Sequence, residues 1–196
     1  EKDTDRVLKG GIFGLYTRND ILSASGKVLM EADTLIELKT TDADGKISFI
    51  ADLPIDGTYY VKELYAPDGF VTTGEEQEFV FEYQGDKEAE VSYEFVFEDE
   101  PTTVKLSKTD LTTGEELPGA RLQLTDENGG VVEEWTSTEE PHIIKELVVG
   151  KSYTLTETKP ADGYATAESI TFTVENTAEI QKQVMEDDVT LSLIHI

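Results

Sequence analysis

The sequence predicts an all-β protein made of two tandem Greek-key β-sandwich domains of immunoglobulin-like form. Three observations carry this. Apolar residues alternate with polar ones in several short runs; turn dipeptides separate those runs; and one set of motifs occurs twice in the same order. The alternating runs include Phe79-Val-Phe-Glu-Tyr83, Tyr93-Glu-Phe-Val-Phe97, Tyr153-Thr-Leu-Thr156 and Ile170-Thr-Phe-Thr-Val174. A period of two places one face of each run in a core and the other in water. Between the runs stand Asp44-Gly45, Asp68-Gly69, Asn128-Gly129-Gly130 and Asp162-Gly163, pairs suited to turns that need a positive φ. Short strands at regular spacing, broken in this way, fit an antiparallel sandwich.

The repeat is read from four matches. Glu63-Leu-Tyr-Ala-Pro-Asp-Gly-Phe70 answers Glu157-Thr-Lys-Pro-Ala-Asp-Gly-Tyr164. Leu53-Pro-Ile-Asp-Gly-Thr-Tyr59 answers Leu147-Val-Val-Gly-Lys-Ser-Tyr153, and Leu to Glu is ten residues in both. Leu8-Lys-Gly-Gly-Ile-Phe-Gly-Leu15 answers Leu117-Pro-Gly-Ala-Arg-Leu-Gln-Leu124, and Val96-Phe-Glu-Asp99 answers Val184-Met-Glu-Asp187. The copies are expected at 1–100 and 101–190, with 191–196 an uncertain tail. Copy one holds an insertion from Thr17 to Leu35, with room for one short helical turn near Ile21 to Ser25. The short linker Asp99-Glu-Pro-Thr-Thr103 contains a proline and is expected to join the copies with limited freedom.

Composition narrows the function. The 196 residues carry 42 acids and 16 bases, a formal charge of −26. Such a chain repels phosphate and anionic lipid, so nucleic acid and membrane surfaces are not expected partners. No run approaches the ~18 apolar residues of a membrane span. There is no Cys, so disulfides cannot hold these domains. The two histidines, His142 and His195, share no motif, and Asp42-Ala-Asp-Gly45 has only the opening of a calcium loop, so neither metal nor cofactor is expected. Trp135 is read as a core or sheet-face residue rather than a sugar platform. Acid pairs at glycosidase-like spacing arise by chance among so many carboxylates, and enzymatic turnover is not expected.

These motifs resemble the Cna B-type, or SpaA-type, prealbumin-like repeat domains of Gram-positive surface proteins. The resemblance spans nearly the whole chain and rests on Lys-x-Asp ahead of a Gly-Ala strand, the Glu-x-x-x-Pro/Ala-Asp-Gly-Tyr box and the closing acid. It implies a stalk module of a cell-wall-anchored, extracellular pilin or adhesin, whose partners are neighbouring repeat domains. A host matrix protein or glycan would be contacted in the alternative reading as a ligand-binding module. It also implies an internal isopeptide bond between a first-strand Lys and a last-strand Asn or Asp, promoted by a Glu.

In copy two that set maps onto Lys108, Glu157 and Asp187; the adjacent Asp188 would face the other side of a strand. The residue types suit the chemistry. An amine attacks when neutral and a carboxyl is attacked when protonated, burial disfavours both charges, and a third carboxyl can relay the proton. In copy one Glu63 and Asp99 match, as remnants of such a set or as a buried acid pair. Lys2 lies eight residues before Gly10, whereas Lys108 lies eleven before Gly119. The first strand of copy one is therefore expected to be incomplete, with its Lys upstream.

Overall fold

A computed structural model describes residues 1–82 and 93–190. The described residues form thirteen strands: β1 Ile12–Thr17, β2 Ile21–Leu22, β3 Val28–Met30, β4 Leu35–Thr40, β5 Gly57–Tyr65, β6 Glu76–Phe81, β7 Thr103–Asp110, β8 Arg121–Asp126, β9 Val131–Thr136, β10 His142–Lys145, β11 Ser152–Lys159, β12 Ile170–Thr173 and β13 Gln181–Asp187. The fold is all-β. The chain divides into two compact units, residues 1–67 with 71–100 and residues 68–70 with 101–196.

Unit 2 is a sandwich of two sheets. One has the order β10-β7-β13 and the other β12-β11-β8-β9. β13 runs parallel to β7, while every other pairing is antiparallel. Alternation makes the core. Val104 and Leu106 of β7, Leu122 and Leu124 of β8, Tyr153 and Leu155 of β11, Phe172 of β12 and Met185 of β13 all point inward and are buried. Each fully buried Leu or Val contributes about 1.5–3 kcal/mol of transfer free energy. Trp135 is half-buried against this core and stacks on His142 at 4.3 Å between ring centroids, which places it on a sheet face as expected.

Unit 1 carries one four-stranded sheet, β4-β1-β5-β6, and the hairpin β2-β3. Its core is Phe13, Leu15, Ile21, Tyr59 and Val61, ringed by half-buried Phe79, Phe81, Phe95 and Phe97. The expected helical turn near Ile21 to Ser25 is absent. Ile21 and Leu22 pair with Met30 and Val28 instead. The chain reverses where Ser23 Oγ accepts from Lys27 N–H and Gly26 adopts φ 79°, a conformation that favours glycine and ends any helix. A second expectation also fails. Tyr93 to Phe97 alternates between exposed and half-buried, as a strand should, but pairs in no sheet among the described residues; nor does Lys46 to Leu53. The expected strand from Phe79 to Tyr83 ends at Phe81, and Tyr83 lies outside the described residues, as do the 191–196 tail and His195.

Turns behave as their residues require. Asp42 Oδ1 accepts from Asp44 and Lys46 N–H, an Asx turn rather than a cation loop. Gly69 and Gly163 take φ of 88° and 93°. Among the described residues no cluster of acids and histidines could hold a metal ion, and no helix is long and apolar enough to cross a membrane.

Candidate functional site

In unit 2 three inward rows each end on an ionisable residue. β7 presents Val104, Leu106, Lys108; β11 presents Tyr153, Leu155, Glu157; β13 presents Met185, Asp187. The pleat that buries the apolar residues also carries the last member of each row into the core. Lys108, Glu157 and Asp187 are 2 %, 4 % and 1 % exposed. Parallel pairing sets Lys108 beside Met185, and Asp187 two residues further along the same face. Asp188 falls on the opposite face and is exposed.

The three groups meet. Lys108 Nζ contacts Asp187 Oδ1 directly and lies 3.2 Å from Glu157 Oε1. Lys108 and Asp187 come from one sheet and Glu157 from the other, so the ammonium is held across the sandwich. Glu157 Oε2 accepts from Ala167 N–H at 2.7 Å. Glu157 Oε1 and Asp187 Oδ2 are buried without a hydrogen-bond partner. Burial pushes the Glu157 carboxyl above its ordinary range; the Ala167 N–H and Lys108 pull it back. Removed from water, an ionised carboxylate is costly, and a protonated one is favoured. A cavity of about 50 Å³ borders Lys108, lined also by Leu106, Leu122, Trp135 and His142. It is large enough for a few waters.

Unit 1 repeats part of this arrangement. Glu63, on β5, is 1 % exposed and Asp99 is 6 % exposed. Glu63 Oε2 accepts from Thr73 N–H at 3.0 Å and Thr73 Oγ1 at 3.2 Å. Glu63 Oε1 and Asp99 Oδ1 are buried and unpartnered. Burial, then the facing Glu63, pushes the Asp99 carboxyl up to about 7. Among the described residues no lysine joins them. Lys2 is exposed, and its ammonium pairs with Glu100. Its backbone N–H donates to Asp99 O at 2.9 Å, just as Leu111 N–H donates to Asp187 O at 2.8 Å. Lys2 and Leu111 each lie eight residues before the glycine that opens the next strand, Gly10 and Gly119. Lys2 therefore matches Leu111, not Lys108.

Two supports were not read from the sequence. Each of the two buried glutamates lies at a β-bulge: the register slips between Glu157 and Lys159 opposite β8, and between Glu63 and Tyr65 opposite β1. A bulge re-aims the side chain beside it. Each glutamate is also tethered by the N–H ten residues further on, Ala167 or Thr73. That equal spacing was visible in the repeat, but its meaning needs the fold.

The family model for the SpaA prealbumin-like fold domain matches residues 1–94 and again 102–188. The chain belongs to this family, and each unit holds one such match. No curated protein matches the chain. Among solved structures, the Bacillus anthracis TIE protein is similar over 95 % of this chain, with 24 % identity and a TM-score of 0.53; this chain spans 32 % of its length. Shaft pilin SpaA from Lactobacillus rhamnosus GG is similar at 15 % identity and a TM-score of 0.42, over 95 % of this chain and 90 % of that one. The C-terminal fragment of pilus adhesin SpaC from the same bacterium is similar at 19 % and 0.47, over 95 % and 91 %.

Proposed function

We propose that the chain is a structural stalk module of a bacterial cell-surface pilin or adhesin, extracellular and wall-anchored through its parent, and that unit 2 locks itself with an isopeptide bond between Lys108 and Asp187. The observation that carries the reading is the buried contact of Lys108 Nζ with Asp187 Oδ1 beside Glu157. The family membership supports the stalk role.

A proton first passes from the Lys108 ammonium to the carboxyl pair, leaving a neutral amine and a protonated Asp187. The amine lone pair attacks Asp187 Cγ. Glu157, placed 3.2 Å from Nζ, takes the second amine proton and returns it to the departing hydroxyl. The Cγ–O bond breaks and one water leaves, with the cavity beside Lys108 as its way out. The reaction occurs once per molecule, so it is maturation and not turnover. The bond closes a loop of 79 residues, which stabilises by roughly 4–5 kcal/mol in the loop-entropy model. It also ties β7 to β13, so a pull along unit 2 would pass through a covalent link.

Intact-protein mass spectrometry tests this. The expected mass is one water below the sequence sum, and Glu157→Ala should restore the full sum. An unmodified wild-type mass refutes the bond.

A second reading, a ligand-binding adhesin module, draws on the hairpin β2-β3, which exposes Leu22, Val28 and Leu29 at 55 %, 43 % and 57 %. Binding to a panel of matrix proteins, compared with a variant lacking the hairpin, tests it. Equal binding by both forms removes the hairpin from consideration.

A further inference from the structure

A strand that buries one row of side chains presents the other, and in unit 2 the outward row of the sheet β10-β7-β13 runs against the composition of the chain. Val104, Leu106 and Lys108 turn inward, so Thr103, Lys105 and Ser107 turn outward. Register sets Lys105 between Lys182 of β13 and Ile143 of β10, Lys145 opposite Thr103, and Val184 opposite Ser107. Three lysines of a chain with 16 bases and 42 acids therefore share one face, on adjacent strands about 4.8 Å apart. Glu186, opposite Thr109, closes the row. Several other surface cations are taken up by acids: Lys2 by Glu100, Arg18 by Glu76 and Glu78, Lys62 by Glu76, and Lys151 by Glu127. Lys105, Lys145 and Lys182 have no ion-pair or hydrogen-bond partner among the described residues. Beside them Ile143 and Val184 are 46 % and 50 % exposed. Lysine on an edge strand deters edge-to-edge pairing, which accounts for Lys145 and Lys182. It does not account for Lys105 on the central strand, or for the two open aliphatic side chains.

Unit 1 presents the opposite pattern. Phe95 and Phe97 pack on its core, so Glu94, Val96 and Glu98 face outward and are exposed. In the segment from Lys46 to Leu53, Phe49 and Ala51 pack inward, and Ile50 and Asp52 face outward. Val96 and Ile50 are 74 % and 80 % exposed, the most open large aliphatics among the described residues. A row reading acid, apolar, acid complements a face of lysines and branched aliphatics. Carboxylates would meet ammoniums at the rim, and the aliphatics would meet at the centre.

We propose that the Lys105, Lys145 and Lys182 face of unit 2 binds a second copy of this chain, on the Glu94-Phe95-Val96-Phe97-Glu98 side of unit 1. Each chain carries both halves of the contact, so the association is heterologous and a chain can take one neighbour at each face. The contact works against the long-range repulsion of two chains of −26. Salt screens that repulsion and the local attraction alike, so ionic strength does not separate them, whereas charge reversal does.

The test is sedimentation equilibrium of the 196-residue protein up to about 1 mM, the range of weak association. The wild type is expected to associate. Lys105→Glu with Lys182→Glu should weaken association at least about tenfold, because ion pairs become like-charge contacts. Glu94→Lys with Glu98→Lys should do the same. An equimolar mixture of the two double variants should associate again, because each basic face then finds an acidic one. That recovery also shows that neither variant failed by unfolding. A monomeric wild type, double variants that associate as the wild type does, or a mixture that stays monomeric overturns the proposal. If the monomeric wild type instead binds inorganic polyphosphate and Lys105→Glu with Lys182→Glu abolishes that binding, the face belongs to an anionic polymer and the proposal falls.

Discussion

Glu157 Oε1 stands 3.2 Å from Lys108 Nζ across the two sheets of unit 2, while its Oε2 is fixed by the Ala167 N–H at 2.7 Å. One oxygen anchors the carboxyl and the other is buried without a hydrogen-bond partner. Replacing the acid by its amide keeps the anchor's shape and removes the proposed proton carrier. Glu157→Gln is therefore expected to show the unmodified mass. Its unit 2 should be less stable in denaturant than the wild type by about 4–5 kcal/mol, the loop-closure contribution of the proposed bond. Mass spectrometry and a urea titration of the same sample check the two effects together.

Lys108→Met should cost more than Glu157→Gln. It would remove the proposed bond and also leave two buried carboxyls without their cation. Breaking a buried pair by deleting one partner costs about 3–5 kcal/mol. The double variant Lys108→Met with Asp187→Leu should recover part of that loss, because one of the two uncompensated acids is gone. Equal stability of the single and double variants would contradict this account of the site's electrostatics.

Unit 1 should lose stability as pH rises. Asp99 has a carboxyl pushed up to about 7 by burial and by Glu63. The folded state therefore holds a proton that the unfolded state has released, and stability falls between the ordinary carboxylate range and about pH 7, then levels off. Each tenfold difference in proton affinity between the two states is worth about 1.4 kcal/mol. Thermal melts of unit 1 at pH 4.5, 6 and 8 should show a falling midpoint, and Asp99→Asn should flatten that dependence and melt higher than the wild type at pH 8.

Ser137 closes the entry to β8. Its hydroxyl donates to Leu117 O at 2.6 Å and accepts from Ala120 N–H at 2.9 Å, and the residue is buried. Ser137→Ala leaves both backbone groups unsatisfied in an apolar setting. A loss of about 1–3 kcal/mol in unit 2 is expected by denaturant titration, with the mass unchanged.

Much of this protein is legible in order along the chain. The alternation in Tyr153-Thr-Leu-Thr and Ile170-Thr-Phe-Thr marks strands because a pleat has period two, and that same period carries Lys108, Glu157 and Asp187 inward. The repeat aligns Glu63 with Glu157 and Asp99 with Asp187 without any coordinates. Where sequence reading failed, tertiary partners were the cause. Tyr93 to Phe97 has the pattern of a strand, but a strand needs a neighbour to bond with, and none of the described residues supplies one. Ile21 to Ser25 was open to a helical turn until Met30 and Val28 gave its backbone partners and Gly26 took a positive φ.

What the sequence by itself determined is the all-β class, the two copies and the identity of the acids and the lysine, because period and motif are local properties. What only the tertiary structure decided is which of those groups meet. Contact between Lys108 on β7 and Asp187 on β13 depends on a parallel register between strands 79 residues apart. The aim of Glu157 depends on a bulge in its pairing with β8. Distances of that kind are set by hydrogen-bonded register across a core, which no run of neighbouring residues encodes.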